Sequence, residues 1–157
     1  MKAASINELK QELTTLPAKK LLELCLRLAR YKKENKELLS YLLFEAHNEQ
    51  GFVESVKAEI DEMFEALPKT NAYLTKKSLR KMLRSIAKYS RHTGTKESEV
   101  EMLIYFCSTL KASGIRIYAN KTLTNLYTQQ IKKLYALIES VHEDLHFDYR
   151  KQLDALV

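Results

Sequence analysis

The sequence predicts an all-α chain of about seven or eight helices, packed as antiparallel hairpins in a bundle or a short α-α superhelix. Three observations carry that expectation. Breakers are scarce, with 3 Gly and 2 Pro in 157 residues, while Leu, Lys and Glu are abundant. Apolar residues recur at i, i+3 and i+4 over most of the chain. Two stretches read S-x-x-E, Ser5 with Glu8 and Ser98 with Glu101, the pattern by which a helix start satisfies its own free N–H groups.

The elements follow in order. Ser5 and Glu8 start a first helix near residue 6. Pro17 opens a second, "PAKKLLELCLRLARY", because a missing N–H costs nothing there. That helix is apolar around most of its circumference and is expected to be central. The polar "KKENK" at 32–36 reads as a turn, and "ELLSYLLFEAH" as a third helix antiparallel to the second. Gly51 reads as an interruption before a fourth helix from about Phe52 to Ala66, and Pro68 with "KTNA" as a loop. A fifth helix is expected from about Thr75 to Ser90, ended by "RHTGT", where Gly94 suits a left-handed exit. Ser98 and Glu101 are expected to cap a sixth helix that ends at Ser113-Gly114. "IRIYAN" at 115–120 is the single strand-like stretch, and no partner strand is evident. From Lys121 onward, Leu123, Tyr127, Ile131, Leu134, Ile138, Val141, Leu145, Tyr149, Leu153 and Leu156 stay in phase. They read as one helix, or as two with a break near Ser140–Asp144.

Length and composition limit the function classes. The chain suits a single helical domain, 1–157, long enough to bury a core. With 45% hydrophobic and 29% charged residues it reads as globular and not disordered. The opening "MKAASINELKQEL" has no apolar leader segment, and no apolar run approaches a membrane span, so a cytoplasmic protein with no membrane partner is expected. Cys25 and Cys107 each lie in an apolar periodic segment, and are expected to be reduced core residues. No phosphate-cradling glycine loop, nucleophile elbow or CxxC occurs, so neither a cofactor nor an enzyme activity is expected.

The opening stretch "INELKQELTTLPAKKLLELCLRLARYKKENKELLSYLLF" resembles an uncharacterised family of small all-helical bacterial proteins. The resemblance rests on a short helix, a Leu-rich helix, a Lys/Glu/Asn turn and another Leu-rich helix, over the first third of the chain. It implies a helical bacterial domain and no activity.

Residues 142–146 read HEDLH, the His-Glu-x-x-His spacing of many zinc peptidases. On a helix His142 and His146 share a face, and Glu143 would polarise a zinc-bound water. That metal-dependent hydrolase is the third-ranked function, for three reasons. A third protein ligand is needed and only 11 residues follow His146. Asp144 puts a charge in a gap that such helices bury. No sheet edge is available to hold a substrate. The preferred reading places both histidines beside the apolar stripe, with Glu143, Asp144 and Asp148 in solvent.

The stretch "TKKSLRKMLRSIAKYSRH" at 75–92 says more. At 100° per residue, Lys76, Lys77, Arg80, Lys81, Arg84, Lys88 and Arg91 fall within an arc of about 140°. Residues 69–93 hold eight basic side chains and no acid, whereas residues 34–67 hold nine acids against two lysines. Two readings follow. The arc binds an anion, a nucleic acid or an acidic protein, or it pairs with the acidic helix that precedes it in sequence. Sequence adjacency favours pairing, with Arg84, Lys88 and Arg91 facing Glu54, Asp61 or Glu65. A 140° arc cannot turn wholly to one neighbour, so Arg80, Lys81 and Arg84 are expected to remain exposed. The function expected overall is that of a non-enzymatic protein-interaction module, with a protein partner or self-association, and anion or nucleic-acid binding is the alternative.

Overall fold

A computed structural model describes residues 1–157. It contains eight α-helices and no strand, and its backbone divides into two compact units, residues 1–44 and 45–157. "IRIYAN" forms a 3-10 turn, Ile117–Ala119, in place of a strand.

In the first unit, α1 (Ile6–Thr14) starts as the sequence predicts. Ser5 accepts from the Glu8 N–H at 3.3 Å, and the Ser5 N–H donates to the Glu8 carboxylate at 2.7 Å. The bonds from Ser5 hold the Glu8 carboxyl below its ordinary range. Helix α2 (Ala18–Tyr31) follows Pro17, which takes the N-cap position with extended backbone. Only Lys32, also extended, separates α2 from α3 (Lys33–Ser40). The "KKENK" segment is therefore the first turn of α3, not a loop. Helices α2 and α3 pack against each other, and α3 runs on into a π-helical turn, Tyr41–Glu45.

Two expectations fail in this unit. Helix α2 is not central, since α1, α2 and α3 bury no residue. Its charged residues Lys19, Lys20, Glu23, Arg27 and Arg30 form one contiguous arc, so it is amphipathic and not apolar all round. Cys25 is exposed and not a core residue, because it lies on the open side of the α2–α3 pair.

In the second unit, α4 (Glu49–Glu65) starts three residues earlier than predicted. Gly51 does not interrupt it. Its N–H donates to the Asn48 side chain at 3.0 Å, and a Cβ there would come within 2.3 Å of Asn48 Nδ2. Glycine thus makes room for the cap. Val53, Val56, Ile60 and Phe64 form the buried face of α4. Helix α5 (Ala72–Thr93) ends at Gly94, whose φ of 70° is the left-handed exit predicted.

Helix α6 (Lys96–Ala112) is the central element, packed against α4, α5, α7 (Lys121–Ile138) and α8 (His146–Asp154). Residues 102–110, "MLIYFCSTL", contain no charge, which suits a helix covered on several sides. Met102, Leu103, Phe106, Cys107 and Leu110 are all within the core. Burial pushes the Cys107 thiol up to about 12. The capping expectation at Ser98 fails: Thr95 is the N-cap, and Ser98 lies inside the first turn with its hydroxyl donating to Glu49.

The C-terminal stripe breaks after Ile138 and resumes at His146, through a 3-10 turn at Glu143–Leu145. The stripe residues remain buried across the break, apart from half-buried Leu145. Tyr127 on α7 donates to the Leu156 carbonyl at 2.8 Å, which ties the chain end to the core. Burial raises the Tyr127 and Tyr149 phenols to about 12 each.

Candidate functional site: the basic face of α5

Helix α5 is well defined at both ends. Asn71 accepts from the N–H groups of Tyr73 and Leu74 at 3.0 and 3.1 Å, and Arg91 and His92 occupy the last turn, where the helix dipole favours cations. Thr75, Leu79, Met82, Ile86 and Ser90 form its buried stripe. At 100° per residue that stripe lies on the opposite side from the basic arc, about 150° away. Packing the stripe therefore turns the arc outward.

Lys77, Arg80, Lys81, Arg84 and Arg91 are exposed, while Lys76 and Lys88 are half-buried. The Lys88 ammonium sits 4.9 Å from the centre of the Tyr89 ring. For two of the three expected cations the pairing with α4 does not form: no ion pair joins Arg84 or Arg91 to Glu54, Asp61 or Glu65. Three of the α4 acids, Glu54, Glu59 and Asp61, have other partners. Glu59 accepts from the Tyr89 hydroxyl at 2.7 Å, and Asp61 accepts from Tyr105 at 2.6 and 2.8 Å. The hydrogen bond to Asp61, with burial, raises the Tyr105 phenol. Glu54 lies 2.7 Å from Lys57, which holds its carboxyl low and also reaches Glu101 at 3.6 Å.

The arc also contains an aromatic side chain. Tyr73 is 71% exposed, and at 100° per residue it falls in the middle of the arc, in line with Arg84 and Arg91. The face from Tyr73 to Arg91 is about 27 Å long at 1.5 Å per residue. It carries no carboxylate, because no acid occurs between Glu65 and Glu97. At its C-terminal end a cleft of about 300 Å³ is bordered by Arg91, Lys96 and Lys133, the last held 2.7 Å from Glu99.

The HEDLH residues do not form one helical face. His142 precedes the 3-10 turn and accepts from the Asp144 N–H through Nδ1 at 3.3 Å. His146 begins α8, and its Nε2 lies 3.0 Å from the Val141 carbonyl oxygen. No group of three or more His, Cys, Asp or Glu side chains comes together as a metal site. His47 lies in a 3-10 turn, Ala46–Asn48, and the His92 ring packs edge-on against Tyr89.

A second feature lies in the first unit. An apolar groove of about 280 Å³ opens between α2 and α3, lined by Cys25, Leu28, Ala29, Asn35, Leu38, Leu39 and Leu42. No helix of the chain is long and apolar enough to cross a membrane. Comparison with protein-family models, curated proteins and solved structures gives no match, so no activity or partner is carried over from a relative.

Proposed function

We propose that the chain is a non-enzymatic interaction protein whose contact surface is the basic face of α5, and that its partner is a nucleic-acid strand. One observation carries this reading. Lys77, Arg80, Lys81, Arg84 and Arg91 stand in solvent in one line, and Arg84 and Arg91 are not consumed by the acids of α4. Cations at roughly one-turn spacing suit a partner with regularly spaced phosphates. An acidic protein surface would want several apolar anchors among the charges, and Tyr73 is the one large apolar side chain within the arc. Tyr73 favours unpaired bases, which stack on an exposed ring, over a duplex that offers only its edges.

Binding to a fluorescent single-stranded oligonucleotide, measured against salt, tests the proposal. Five phosphate contacts predict a log–log salt slope of about −3.5 for a single strand. Arg80→Gln with Arg84→Gln should reduce its steepness by about 1.4, since each lost contact removes about 0.7. Tyr73→Ala should weaken binding without changing the slope. A slope near zero, or a double variant that binds as the parent does, removes this function.

A further inference from the structure

Tyr149 of α8 carries a hydroxyl that the fold does not use. The residue is 8% exposed, and its oxygen bonds to no group of the chain. No polar side-chain atom is sealed in the core without a partner, so this oxygen opens onto the cleft that Tyr149 lines, between α4, α6 and α8. A polar group buried to that degree and left open on one side points to a polar occupant of the cleft. The cleft has a volume of about 300 Å³ and is bordered also by Lys57, Glu101 and Ser108. It continues along α6 and α8 into a second hollow of about 420 Å³, because Ile104, Ser108 and Gln152 border both. Ala112, Ala155 and Leu156 line the far part. One end of the groove is therefore polar and the other apolar, a form that suits a small molecule with a polar head and an apolar body.

The sign of charge at the polar end selects the head. Lys57 lies 2.7 Å from Glu54 and only 3.6 Å from Glu101 Oε2, and Glu101 Oε1 has no partner in the chain. Burial raises the Tyr149 phenol to about 12, and Glu101 and Glu97 push it the same way, so the acids outweigh Lys57 at the hydroxyl. No three His, Cys, Asp or Glu side chains gather there as a metal site, which leaves an organic cation. We propose that this groove binds a small aliphatic amine as its ammonium ion, with Glu101 Oε1 and the Tyr149 oxygen as acceptors and the alkyl chain over Ile104 and Leu156. Tyr149 to Ala155 is about 9 Å at 1.5 Å per residue, a length that a hexyl chain nearly fills. Lys111 stands at the far end, its ammonium donating to the Ala155 carbonyl at 3.0 Å. A second positive charge on the ligand would meet it, so a monoamine is preferred to a diamine. None of these residues belongs to α5, so the groove is independent of strand binding.

Calorimetric titration of the full chain at pH 7 with hexylamine, hexanol, hexanoate and 1,6-diaminohexane tests the assignment. Hexylamine should bind one to one with a Kd of about 1 mM or tighter. Hexanol keeps the chain without the charge and should bind about tenfold more weakly, and hexanoate should not bind. Glu101→Gln should weaken hexylamine about tenfold, and Tyr149→Phe, which keeps the ring, about threefold. Arg84→Gln on the α5 face should change nothing. An unchanged helical dichroism spectrum confirms that each variant folds. The proposal is overturned if hexylamine gives no binding at about ten times that concentration, or if hexanol or hexanoate binds as tightly. It is also overturned if Glu101→Gln or Tyr149→Phe binds hexylamine as the parent does. Tighter binding of 1,6-diaminohexane than of hexylamine likewise removes it, because the chain would then not run toward Lys111.

Discussion

Glu49 opens α4, yet its carboxylate works at the start of α6. It accepts hydrogen bonds from the hydroxyls of Thr95 and Ser98. Thr95 is the N-cap residue of α6 but makes no capping bond of its own, since its hydroxyl is turned to Glu49. A carboxylate here also meets the positive end of the helix dipole, worth about 0.3–1 kcal/mol. Each hydrogen bond to a charged acceptor contributes about 1.5–3 kcal/mol. Glu49→Ala removes both, but frees Thr95 to turn back and cap its own helix, which restores about 1 kcal/mol. With both bonds at the low end of their range, the net loss expected is about 2–3 kcal/mol, read by urea unfolding followed by circular dichroism. Double-mutant cycles then separate the two hydroxyls. Ser98 is 5% exposed and has no such alternative. Ser98→Ala should cost about 1–1.5 kcal/mol in the parent and close to nothing once Glu49 is gone, a coupling of at least about 1 kcal/mol. Thr95→Ala should cost about 1 kcal/mol in both backgrounds, because the hydroxyl has work in each, so its coupling to Glu49 should be small. A Glu49–Ser98 coupling under about 0.3 kcal/mol would show that the α4–α6 contact does not form as described.

Three further outcomes are expected. At pH 8, iodoacetamide should label one thiol of the native protein, Cys25, and the second only after unfolding, since Cys107 is fully buried and its thiol is raised to about 12; rapid labelling of both would contradict the core assignment. Cys107, Tyr127 and Tyr149 all have acidities weakened by burial, from 9.0 or 10.0 to about 12. The fold therefore favours their neutral forms: that stability is fully present below about pH 9 and is lost as pH rises toward 12. Spectrophotometric titration should show late-ionising tyrosines whose deprotonation coincides with loss of helix. Elemental analysis of untagged protein should find no tightly bound zinc, and one equivalent lost in His146→Ala would restore the hydrolase reading.

Much of the helical architecture is written in local signals. The Ser5–Glu8 box, Gly94 at a left-handed exit and the stripe from Leu123 to Leu156 all act through backbone geometry within a few residues, and each is found where the sequence places it. The stripe even keeps its phase across the break at Ser140, because burial selects the residues while hydrogen bonding decides whether the helix continues. The errors come from longer range. Helix α2 has more leucine than α6, and leucine content alone suggests that it is central. The better signal is the distribution of charge: α2 has a charged residue on every turn of one side, whereas α6 has none between Glu101 and Lys111. Ser98 also fits the capping pattern, but Thr95 starts the helix and Glu49, 49 residues earlier in the chain, claims the Ser98 hydroxyl.

The basic arc shows how a site becomes half legible. The helical wheel places Arg80, Lys81 and Arg84 together, and the structure leaves them exposed, because the stripe Leu79, Met82 and Ile86 fixes the rotation of α5. What formal charge counting misses is that an acid needs a donor and not necessarily a cation. Tyr89 and Tyr105 supply donors to Glu59 and Asp61 across the helix contacts. A phenol bonded to a carboxylate satisfies its hydrogen bonding without an ion pair, so Arg84 and Arg91 have no carboxylate partner on α4. Replacing those tyrosines by phenylalanine would remove the donors while preserving the rings. The α4 acids would then be the local groups best placed to compete for any cation that can reach them. On this argument the tyrosines do two jobs: they join α4 to its neighbours, and they occupy Glu59 and Asp61 so that Arg84 and Arg91 stay out of ion pairs with α4.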